Sequence, residues 1–261
     1  MIYFIGAGPG AADLITVKGK ELLEKADLCI YAGSLVNPEL LKYCKPECVI
    51  MNSAHMTLEE VIAAMVPAAQ EGKLVVRLHT GDPSVYGAHR EQIDLLRGYN
   101  LDYEIVPGVS SFCAAAAVLK AEYTLPNVSQ SVIITRMEGR TPVPNRQKIA
   151  DYAAHKATMV IFLSSGMLEK LQVELVKGGY TEDTPAAIVY KASWPDEKVI
   201  RCTIGTLAES AAKYGINKTA LITVGGFLGN EYDRSELYNP TFAHGFREAD
   251  PSKLDLKPEV K

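Results

Sequence analysis

The stretch IYFIGAGPGA, residues 2–11, decides the fold. Its first half is an apolar run that is typical of a buried strand, and its second half is rich in glycine. Residues 14–26 follow with apolar side chains at helical spacing. A strand, a glycine turn and a helix in this order form the opening unit of a parallel α/β sheet. The sequence therefore predicts an α/β protein that begins with this unit.

The first half of the chain repeats the alternation of strand and helix. The apolar patterns predict strands over 28–32, 48–51, 74–79 and 103–106, and helices over 14–26, 38–44, 58–70, 88–97 and 110–119. Ser110 or Ser111 suits the N-cap of the last of these helices. Regular alternation of this kind predicts a mostly parallel sheet in the first half.

The second half has a different order of elements. Strands are predicted over 132–135, 159–163, 187–190, 198–204 and 221–224, and helices over 147–155, 168–177 and 207–214. A short turn containing Pro195 and Asp196 separates two of the strands, which predicts an antiparallel hairpin and a mixed sheet. We expect two α/β domains, 1–120 and 121–230, followed by a polar tail over 231–261 that is partly irregular or disordered.

The composition argues against several classes of protein. The chain has 261 residues, 48% of them hydrophobic, and a net charge of -4 with acids and bases mixed along it. A protein that binds nucleic acid usually shows a basic stripe, and this sequence has none. It also lacks an apolar run long enough to cross a bilayer and a basic start typical of a signal peptide. We therefore expect a cytoplasmic enzyme without a nucleic-acid or membrane partner.

The five cysteines show neither a disulfide framework nor a zinc-binding pattern. Their number is odd and their spacing is irregular: Cys29, Cys44, Cys48, Cys113 and Cys202. Cys44 and Cys48 form a pair, but neither a second pair nor a histidine cluster follows. We expect reduced thiols and no protein-bound metal.

The first glycine loop allows three interpretations. Residues 6–11 match the dinucleotide-binding pattern with a final alanine, which would indicate a nicotinamide or flavin site. However, Pro9 removes a backbone donor from the stretch that would hold pyrophosphate. Asp27 precedes the second strand, whereas a ribose-binding acid should follow it. A tight turn for close packing is the second interpretation. We favour the third, a loop shaped against a ligand that has no pyrophosphate.

Two further loops of small residues follow later strands. Gly81-Asp82-Pro83 ends the fourth strand, and Pro107-Gly108-Val109-Ser110-Ser111 follows the fifth. Each loop taken alone is compatible with an ordinary turn. Open α/β sheets bind ligands at the carboxyl ends of their strands, and these loops occupy three such ends. The sequence therefore predicts one shared crevice.

Taken together, these loops resemble the tetrapyrrole methylases, which are S-adenosylmethionine enzymes of cobalamin and sirohaem synthesis. The resemblance rests on residues 6–10, 31–36, 81–83 and 107–111 in this order, and it extends through Thr219-Ala220-Leu221. It implies two α/β domains with the cofactor held between them, usually in a homodimer. It also implies that S-adenosylhomocysteine is a product and that a tetrapyrrole is the substrate.

Other stretches indicate a subfamily. Many uroporphyrinogen methylases carry Tyr-Asp-x-Leu-Val after the second strand, whereas this chain has Tyr31-Ala32-Gly33-Ser34-Leu35-Val36. Residues 52–56 and 135–144 are similar to precorrin-4 C11-methyltransferases. This resemblance implies methylation of C11 of precorrin-4 or its cobalt complex, and we take the cobalt complex of the anaerobic route as the first hypothesis. The alternatives are another tetrapyrrole carbon, a protein side chain, a nicotinamide oxidoreductase and a tetrapyrrole carrier without catalytic activity.

The resemblance also implies which residues contact the cofactor. Carried over by position, these are Pro9, Gly81, Asp82, Val85, Tyr86, Ser110, Ser111, Phe162, Leu163, Ala192, Thr219 and Ala220. The substrate carries many carboxylates, which arginine binds in a bidentate manner. Candidates for that role are Arg136 and Arg140, followed by Lys120 and Lys191. Glu138 is a further candidate for contact with the substrate, and Trp194 is a candidate to wall the flat macrocycle with the face of its ring. The alternatives are a solvated basic loop and, for Trp194, plain packing.

The chemistry of the transfer determines which side chains matter. Methyl transfer from a sulfonium is an in-line displacement, and the positive charge on sulfur fades in the transition state. A strong counter-charge against sulfur would stabilise the ground state too well, so we expect catalysis mainly by positioning. Asp82 is then a residue that orients the cofactor. His79, Tyr86 and Glu138 are candidates for a proton acceptor, and none is assigned firmly.

Overall fold

The computed structural model describes residues 1–253. They form two compact units, of which the first contains Met1–Leu119 together with Val189–Val199 and Thr219–Leu221. The second unit contains the rest of the described chain. The first unit combines three separate segments of the chain, whereas the predicted domains 1–120 and 121–230 are continuous. The predicted domain limits therefore stay a prediction.

The first sheet is entirely parallel, as the alternating pattern predicts. Its strands are β1 (Ile2–Gly6), β2 (Leu28–Tyr31), β3 (Val49–Asn52), β4 (Val75–His79) and β5 (Tyr103–Val106). They lie in the order β3-β2-β4-β1-β5, and each adjacent pair is parallel. The inner strands are buried on both faces, which is why they are apolar runs in the sequence.

Four α-helices flank this sheet: α1 (Val17–Lys25), α2 (Leu58–Gln70), α3 (Arg90–Arg97) and α4 (Ser111–Leu119). Thr57 and Glu60 form a capping box at the start of α2. The helix predicted from residue 14 begins at Val17, because the Thr16 side chain caps the Gly19 N–H. The helix predicted from residue 88 begins at Arg90, because Ala88 has a φ of 47°.

Short 3₁₀ turns occupy Ala12–Leu14, Pro38–Tyr43 and Ser53–His55. The short helix predicted over 38–44 is present over Pro38–Tyr43 as a 3₁₀ helix, with tighter i→i+3 turns that follow the Asn37 cap. Helix α4 begins at Ser111, which leaves Ser110 immediately before it. The Ser110 carbonyl accepts from the Cys113 and Ala114 N–H groups.

The core of the first unit has a layer on each face of the sheet. Phe4, Ile30, Met65 and Leu96 belong to the layer under α2 and α3. Ile5, Leu23, Cys29 and Leu78 belong to the opposite layer. Full burial of one such aliphatic side chain stabilises the fold by about 1.5–3 kcal/mol.

The second sheet is mixed, as predicted. It contains β6 (Val132–Arg136), β7 (Thr158–Phe162), β8 (Pro185–Tyr190), β9 (Lys198–Thr203) and β10 (Ala220–Val224), in the order β6-β7-β10-β8-β9. Strands β6 and β7 are parallel, whereas β7 and β10 are antiparallel. Strands β8 and β9 are hydrogen-bonded neighbours, as the predicted hairpin requires. The predicted α/β class with one parallel and one mixed sheet is confirmed.

Three helices belong to the second half of the chain: α5 (Ile149–Ala153), α6 (Leu168–Lys177) and α7 (Leu207–Lys213). Helix α5 is shorter than the predicted 147–155, because Lys148 before it is extended at ψ 155°. The described part of the tail contains the 3₁₀ turns Glu236–Tyr238 and Pro251–Lys253 and an isolated antiparallel bridge between His244 and Arg247. The rest of the predicted tail, 254–261, lies outside the described residues. No helix within residues 1–253 is long and apolar enough to span a membrane.

Candidate functional site

The three glycine-containing loops meet at the carboxyl edge of the parallel sheet. Gly8 and Gly81 exchange backbone hydrogen bonds, with N···O distances of 3.2 Å and 2.9 Å. The Gly108 N–H donates to Asp82 Oδ2 at 2.8 Å. The structure therefore joins the loops that follow β1, β4 and β5, as their positions in the sequence predict.

Two of these glycines allow a close approach of backbone to backbone. A Cβ atom at Gly108 would lie 2.2 Å from the Gly81 carbonyl oxygen, and one at Gly6 would lie 2.5 Å from Gly108 Cα. Gly81 differs, since a Cβ there would meet nothing nearer than Ser110 Cα at 3.6 Å. Its φ of 61° nevertheless favours glycine. The loops therefore pack more tightly at Gly6 and Gly108 than at Gly81, and we call the surface formed by Gly81, Asp82, Ser110 and Ser111 the cradle.

A segment from the second half of the chain packs on the first glycine loop within the same unit. Trp194 Nε1 donates to the Pro9 carbonyl oxygen at 3.1 Å, and Ser193 Oγ accepts from the Ala11 N–H at 3.0 Å. A Cβ at Gly10 would lie 2.1 Å from Trp194 Cδ1. The indole therefore covers Gly10, which explains the glycine at that position.

We expect Trp194→Phe to lower the free energy of unfolding by about 1 kcal/mol, because it removes one hydrogen bond and keeps an aromatic ring over Gly10. Urea denaturation measures this loss. Tyr214→Phe, at a half-exposed position in the second unit, is the control for removal of one polar group. A loss no larger than that of the control would show that the bond to Pro9 contributes nothing.

Asp82 ties two loops together. Its Oδ1 accepts from the Ser84 N–H at 2.8 Å and from the Ser84 hydroxyl, while Oδ2 accepts from the Gly108 N–H. Partial burial acts to raise the pKa of Asp82, but the hydrogen bonds from Ser84 and Gly108 outweigh it and leave the pKa below its usual value. The carboxylate is therefore ionised at neutral pH and fixed in position.

Left-handed backbone is concentrated near these loops. Tyr86, Lys191, Ser193 and Thr219 have φ values of 56°, 47°, 70° and 58°. Such conformations cost about 1–3 kcal/mol each in residues other than glycine, and they cluster at functional sites. Tyr86 is half-exposed, and the Thr219 carbonyl accepts from the Lys191 N–H at 3.1 Å.

The structure groups most of the predicted cofactor contacts in the first unit. These are Pro9, Gly81, Asp82, Val85, Tyr86, Ser110, Ser111, Ala192, Thr219 and Ala220. Phe162 and Leu163 lie in the second unit at the end of β7, where Leu163 is 62% exposed and has a φ of 52°. The assignment of these residues to a cofactor stays a prediction.

His79 occupies a structural position. Its ring is 3% exposed and lies 5.9 Å from the Phe4 ring and 6.1 Å from the His89 ring, centroid to centroid. Burial, followed by the charges of Arg77 and His89, lowers the pKa of His79 to about 3. A neutral, buried imidazole has no open path to a substrate proton, which argues against His79 as the proton acceptor.

The Arg136 guanidinium is engaged by its own loop. Its Nη1 donates to the Met137 and Thr141 carbonyl oxygens at 3.2 Å each, and Nη2 donates to Pro142 O at 2.8 Å. Arg140 lies in the same loop and is exposed. Of the two arginines, Arg140 is therefore the better placed to meet a carboxylate in solvent.

The remaining substrate candidates differ in whether their charged groups already have partners within the protein. Glu138 accepts from the Val143 N–H and lies 3.8 Å from Lys148 Nζ. Lys191 Nζ pairs with Asp196 at 2.6 Å, and this hydrogen bond raises the pKa of Lys191. Lys120 is exposed in the second unit and has a φ of 50°. Glu138 and Lys191 thus already have ionic partners.

All five cysteines are free thiols. Within the described part of the chain, no group of three or more His, Cys, Asp or Glu side chains is arranged to hold a metal ion. The expectation of no bound metal stays a prediction.

Comparison with curated proteins finds relatives along nearly the whole chain. The cobalt-precorrin-4 C(11)-methyltransferase of Methanocaldococcus jannaschii is 56% identical over 249 residues, which cover 95% of this chain and 96% of the relative. The precorrin-4 C(11)-methyltransferase of a Sinorhizobium species is 46% identical over 248 residues, covering 94% and 98%.

Solved structures show the same fold. The X-ray structure of a cobalt precorrin-4 methyltransferase, described as a cobalamin biosynthetic enzyme, matches with a TM-score of 0.86 and 50% identity, covering 88% of this chain and 96% of that one. The uroporphyrin-III C-methyltransferase of Thermus thermophilus, solved with S-adenosylhomocysteine, matches with a TM-score of 0.72 and 26% identity, covering 87% and 92%.

The family comparison agrees with the arrangement of the loops. The profile of the tetrapyrrole (corrin/porphyrin) methylases matches residues 1–208, which include all three glycine loops and Trp194. With 56% identity to one named member across 95% of its length, this chain belongs to the tetrapyrrole methylases and is a methyltransferase.

Proposed function

We propose that this protein transfers a methyl group from S-adenosylmethionine to C11 of cobalt-precorrin-4, in the anaerobic route to cobalamin. The observation that carries the proposal is the 56% identity to a cobalt-precorrin-4 C(11)-methyltransferase over 95% of the chain. The second candidate substrate is metal-free precorrin-4 of the aerobic route, which the 46% identity to a precorrin-4 enzyme favours.

The loop geometry supports S-adenosylmethionine over a dinucleotide. A pyrophosphate needs free backbone N–H groups at the start of the helix after the glycine loop. Here the Ala11 N–H already donates to Ser193, and Trp194 covers Gly10. Asp27, the acid that directly precedes the second strand, lies at its amino end and accepts from the Leu74 N–H at 2.7 Å. These contacts argue against a nicotinamide oxidoreductase.

The cradle fits a nucleoside that carries a sulfonium. When bound, S-adenosylmethionine supplies an electrophilic methyl group. Of the small residues in these loops, Gly81 and Ser110 are buried, whereas Ser111 is partly exposed and offers a hydroxyl group. Asp82 keeps two of the loops at a fixed separation, so its contribution is to position the cofactor. In well-aligned reactions, positioning of the reactants as a whole can lower the barrier by about 7–11 kcal/mol.

The experiment that tests the proposal is incubation with S-adenosylmethionine and either cobalt-precorrin-4 or precorrin-4. We expect S-adenosylhomocysteine and a product that has gained one methyl group by mass, located at C11 by carbon NMR. A faster reaction with metal-free precorrin-4 would favour the aerobic route. Stabilisation of the fold by NAD and not by S-adenosylhomocysteine would contradict the proposal.

The proposal includes a homodimer in the cytoplasm, as the family resemblance implies. Sedimentation equilibrium at several protein concentrations tests the oligomeric state. A single species at the mass of one chain, 28.4 kDa, would contradict the dimer.

We expect Arg140→Ala to weaken binding of the tetrapyrrole about ten-fold and to leave S-adenosylhomocysteine affinity unchanged, because one charge-assisted hydrogen bond to a carboxylate is lost. Fluorescence titration with the macrocycle and calorimetry with S-adenosylhomocysteine measure the two affinities. Arg146→Ala, which removes an exposed charge close by, is the control. Equal losses for both ligands would contradict a role for Arg140 in substrate binding.

A further inference from the structure

Two buried polar side chains interrupt the apolar interior of β4. Arg77 is 6% exposed and His79 is 3% exposed, and both face the layer that contains α3. Inner strands of a parallel sheet are normally apolar, and an arginine in such a place is costly unless its hydrogen bonds are satisfied. The hydrogen bonds of these two residues lead to one segment of the chain.

Arg77 connects the sheet to α3 through Gln92. Its Nη1 donates to the Ile30 carbonyl oxygen on β2 at 3.1 Å, and its Nε donates to Gln92 Oε1 at 3.1 Å. Gln92, which is 6% exposed, donates from Nε2 to the Ala88 carbonyl oxygen at 3.0 Å. His79 adds a hydrogen bond to the backbone of the adjacent Gly87. Two buried residues of β4 thus tether the segment 87–88.

This segment has an unfavourable backbone conformation. Tyr86 and Ala88 have φ values of 56° and 47°, and a Cβ at Gly87 would lie 2.2 Å from the Pro83 carbonyl oxygen. Conformations of this kind persist only where the surrounding structure holds them. Residues 86–88 therefore lie against Pro83, the residue that follows Asp82 in the chain.

We propose that Gln92, oriented by Arg77, is a positioning residue that holds segment 86–88 in its left-handed form and thereby shapes the S-adenosylmethionine cradle. The inference rests on the proposed function, since it concerns the same loop. The Gln92 side chain reaches this segment through its hydrogen bond to the Ala88 carbonyl oxygen. The contrasting explanation is a buried network that contributes to stability alone.

Gln92→Glu separates these two explanations. The carboxylate keeps an oxygen acceptor for Arg77 and adds an ion pair, but its other oxygen faces the Ala88 carbonyl oxygen and cannot donate to it. We expect a free energy of unfolding equal to or above that of the wild type. We also expect an S-adenosylhomocysteine Kd that is raised about ten-fold, the factor that corresponds to one hydrogen bond.

The matched control is Leu95→Glu, which places the same charge on α3 at a position that is 41% exposed. It should leave the Kd for S-adenosylhomocysteine unchanged.

A second variant tests the backbone directly, because glycine adopts a positive φ without a tether. Adding Ala88→Gly to Gln92→Glu should recover part of the lost affinity, although it removes no charge and restores no hydrogen bond.

On each variant, calorimetric titration measures the Kd for S-adenosylhomocysteine, and urea denaturation measures the free energy of unfolding. If Gln92→Glu fails to fold, Gln92→Met, which removes both bonds without adding a charge, should show the same ten-fold loss of affinity. An unchanged Kd in a folded Gln92 variant, while the wild type binds, overturns the inference alone. A wild type that binds no S-adenosylhomocysteine overturns the proposed function and the inference with it.

Discussion

Gly108→Ala is expected to lower the free energy of unfolding by about 3 kcal/mol or more and to abolish S-adenosylhomocysteine binding. The new Cβ would lie 2.2 Å from the Gly81 carbonyl oxygen and 2.7 Å from Gly6 Cα. Both neighbours are backbone atoms: Gly6 is the last residue of β1, and Gly81 lies two residues after the end of β4. Since neither can move without disturbing the pairing of β1 with β4, the loop with Gly108 must move instead.

That movement would also separate the Gly108 N–H from Asp82, its hydrogen-bond acceptor. Loss of stability and loss of binding should therefore occur together in this variant. Urea denaturation and calorimetric titration measure the two effects. Gly245→Ala is the control, because a Cβ at that position meets nothing within 4 Å and its φ is not left-handed. A Gly108→Ala protein that folds and binds like the wild type would contradict the packing argument.

The first sheet could be predicted from the sequence because its chemistry is local. Each inner strand is an apolar run, and glycine or a Gly-Asp-Pro turn ends β1 and β4. A parallel sheet places those ends on one edge, so the meeting of the three loops also followed from chain order. Helix starts were less accurate where a backbone feature decided them, as Ala88 shows with its φ of 47°.

The contacts of the candidate site that the sequence did not reveal are those made over long separations. Ser193 and Ala11 are 182 residues apart, and no periodic pattern connects them. The sequence makes Trp194 a candidate to pack against the substrate macrocycle, and the contact of its ring with Gly10 is visible only in the structure. Arg77 and Gln92 lie within segments that have ordinary strand and helix patterns, so only the structure shows that their side chains meet.

These contacts change the meaning of the glycine pattern. Gly6, Gly10 and Gly108 are required by neighbouring protein atoms, whereas a Cβ at Gly81 would make only ordinary contacts with its neighbours. The sequence pattern alone resembles a dinucleotide loop because both kinds of site need glycine for close approach. The distinction lies in the neighbours of each glycine, and it supports the proposal that a ligand meets the pattern at Gly81 and Asp82.

Asp82→Asn is expected to weaken S-adenosylhomocysteine binding by roughly 30- to 150-fold, as loss of a charged hydrogen bond of about 2–3 kcal/mol implies. Both carboxylate oxygens accept protein hydrogen bonds, Oδ1 from Ser84 and Oδ2 from Gly108. Asparagine has a single acceptor oxygen, so its amide nitrogen would face one of these N–H donors. The loops would then separate at the cradle.

The same substitution should change how stability depends on pH. The net pKa of Asp82 is lowered in the folded protein, although burial alone acts to raise it. A lowered carboxyl pKa stabilises the fold fully above the unfolded value of about 3.9, and the stabilisation is lost as the pH falls through the folded pKa. Asp82→Asn should therefore be less stable than the wild type at pH 7, and the difference should shrink in acid.

Urea denaturation between pH 3 and pH 7 measures this convergence, and Asp13→Asn, at an exposed position, is the control for removal of one carboxylate. Because asparagine nearly matches aspartate in size, the comparison isolates the charge and the second acceptor oxygen. If the difference in unfolding free energy between Asp82→Asn and the wild type stayed constant over this range, the Asp82 carboxylate would not be what links the loops after β4 and β5.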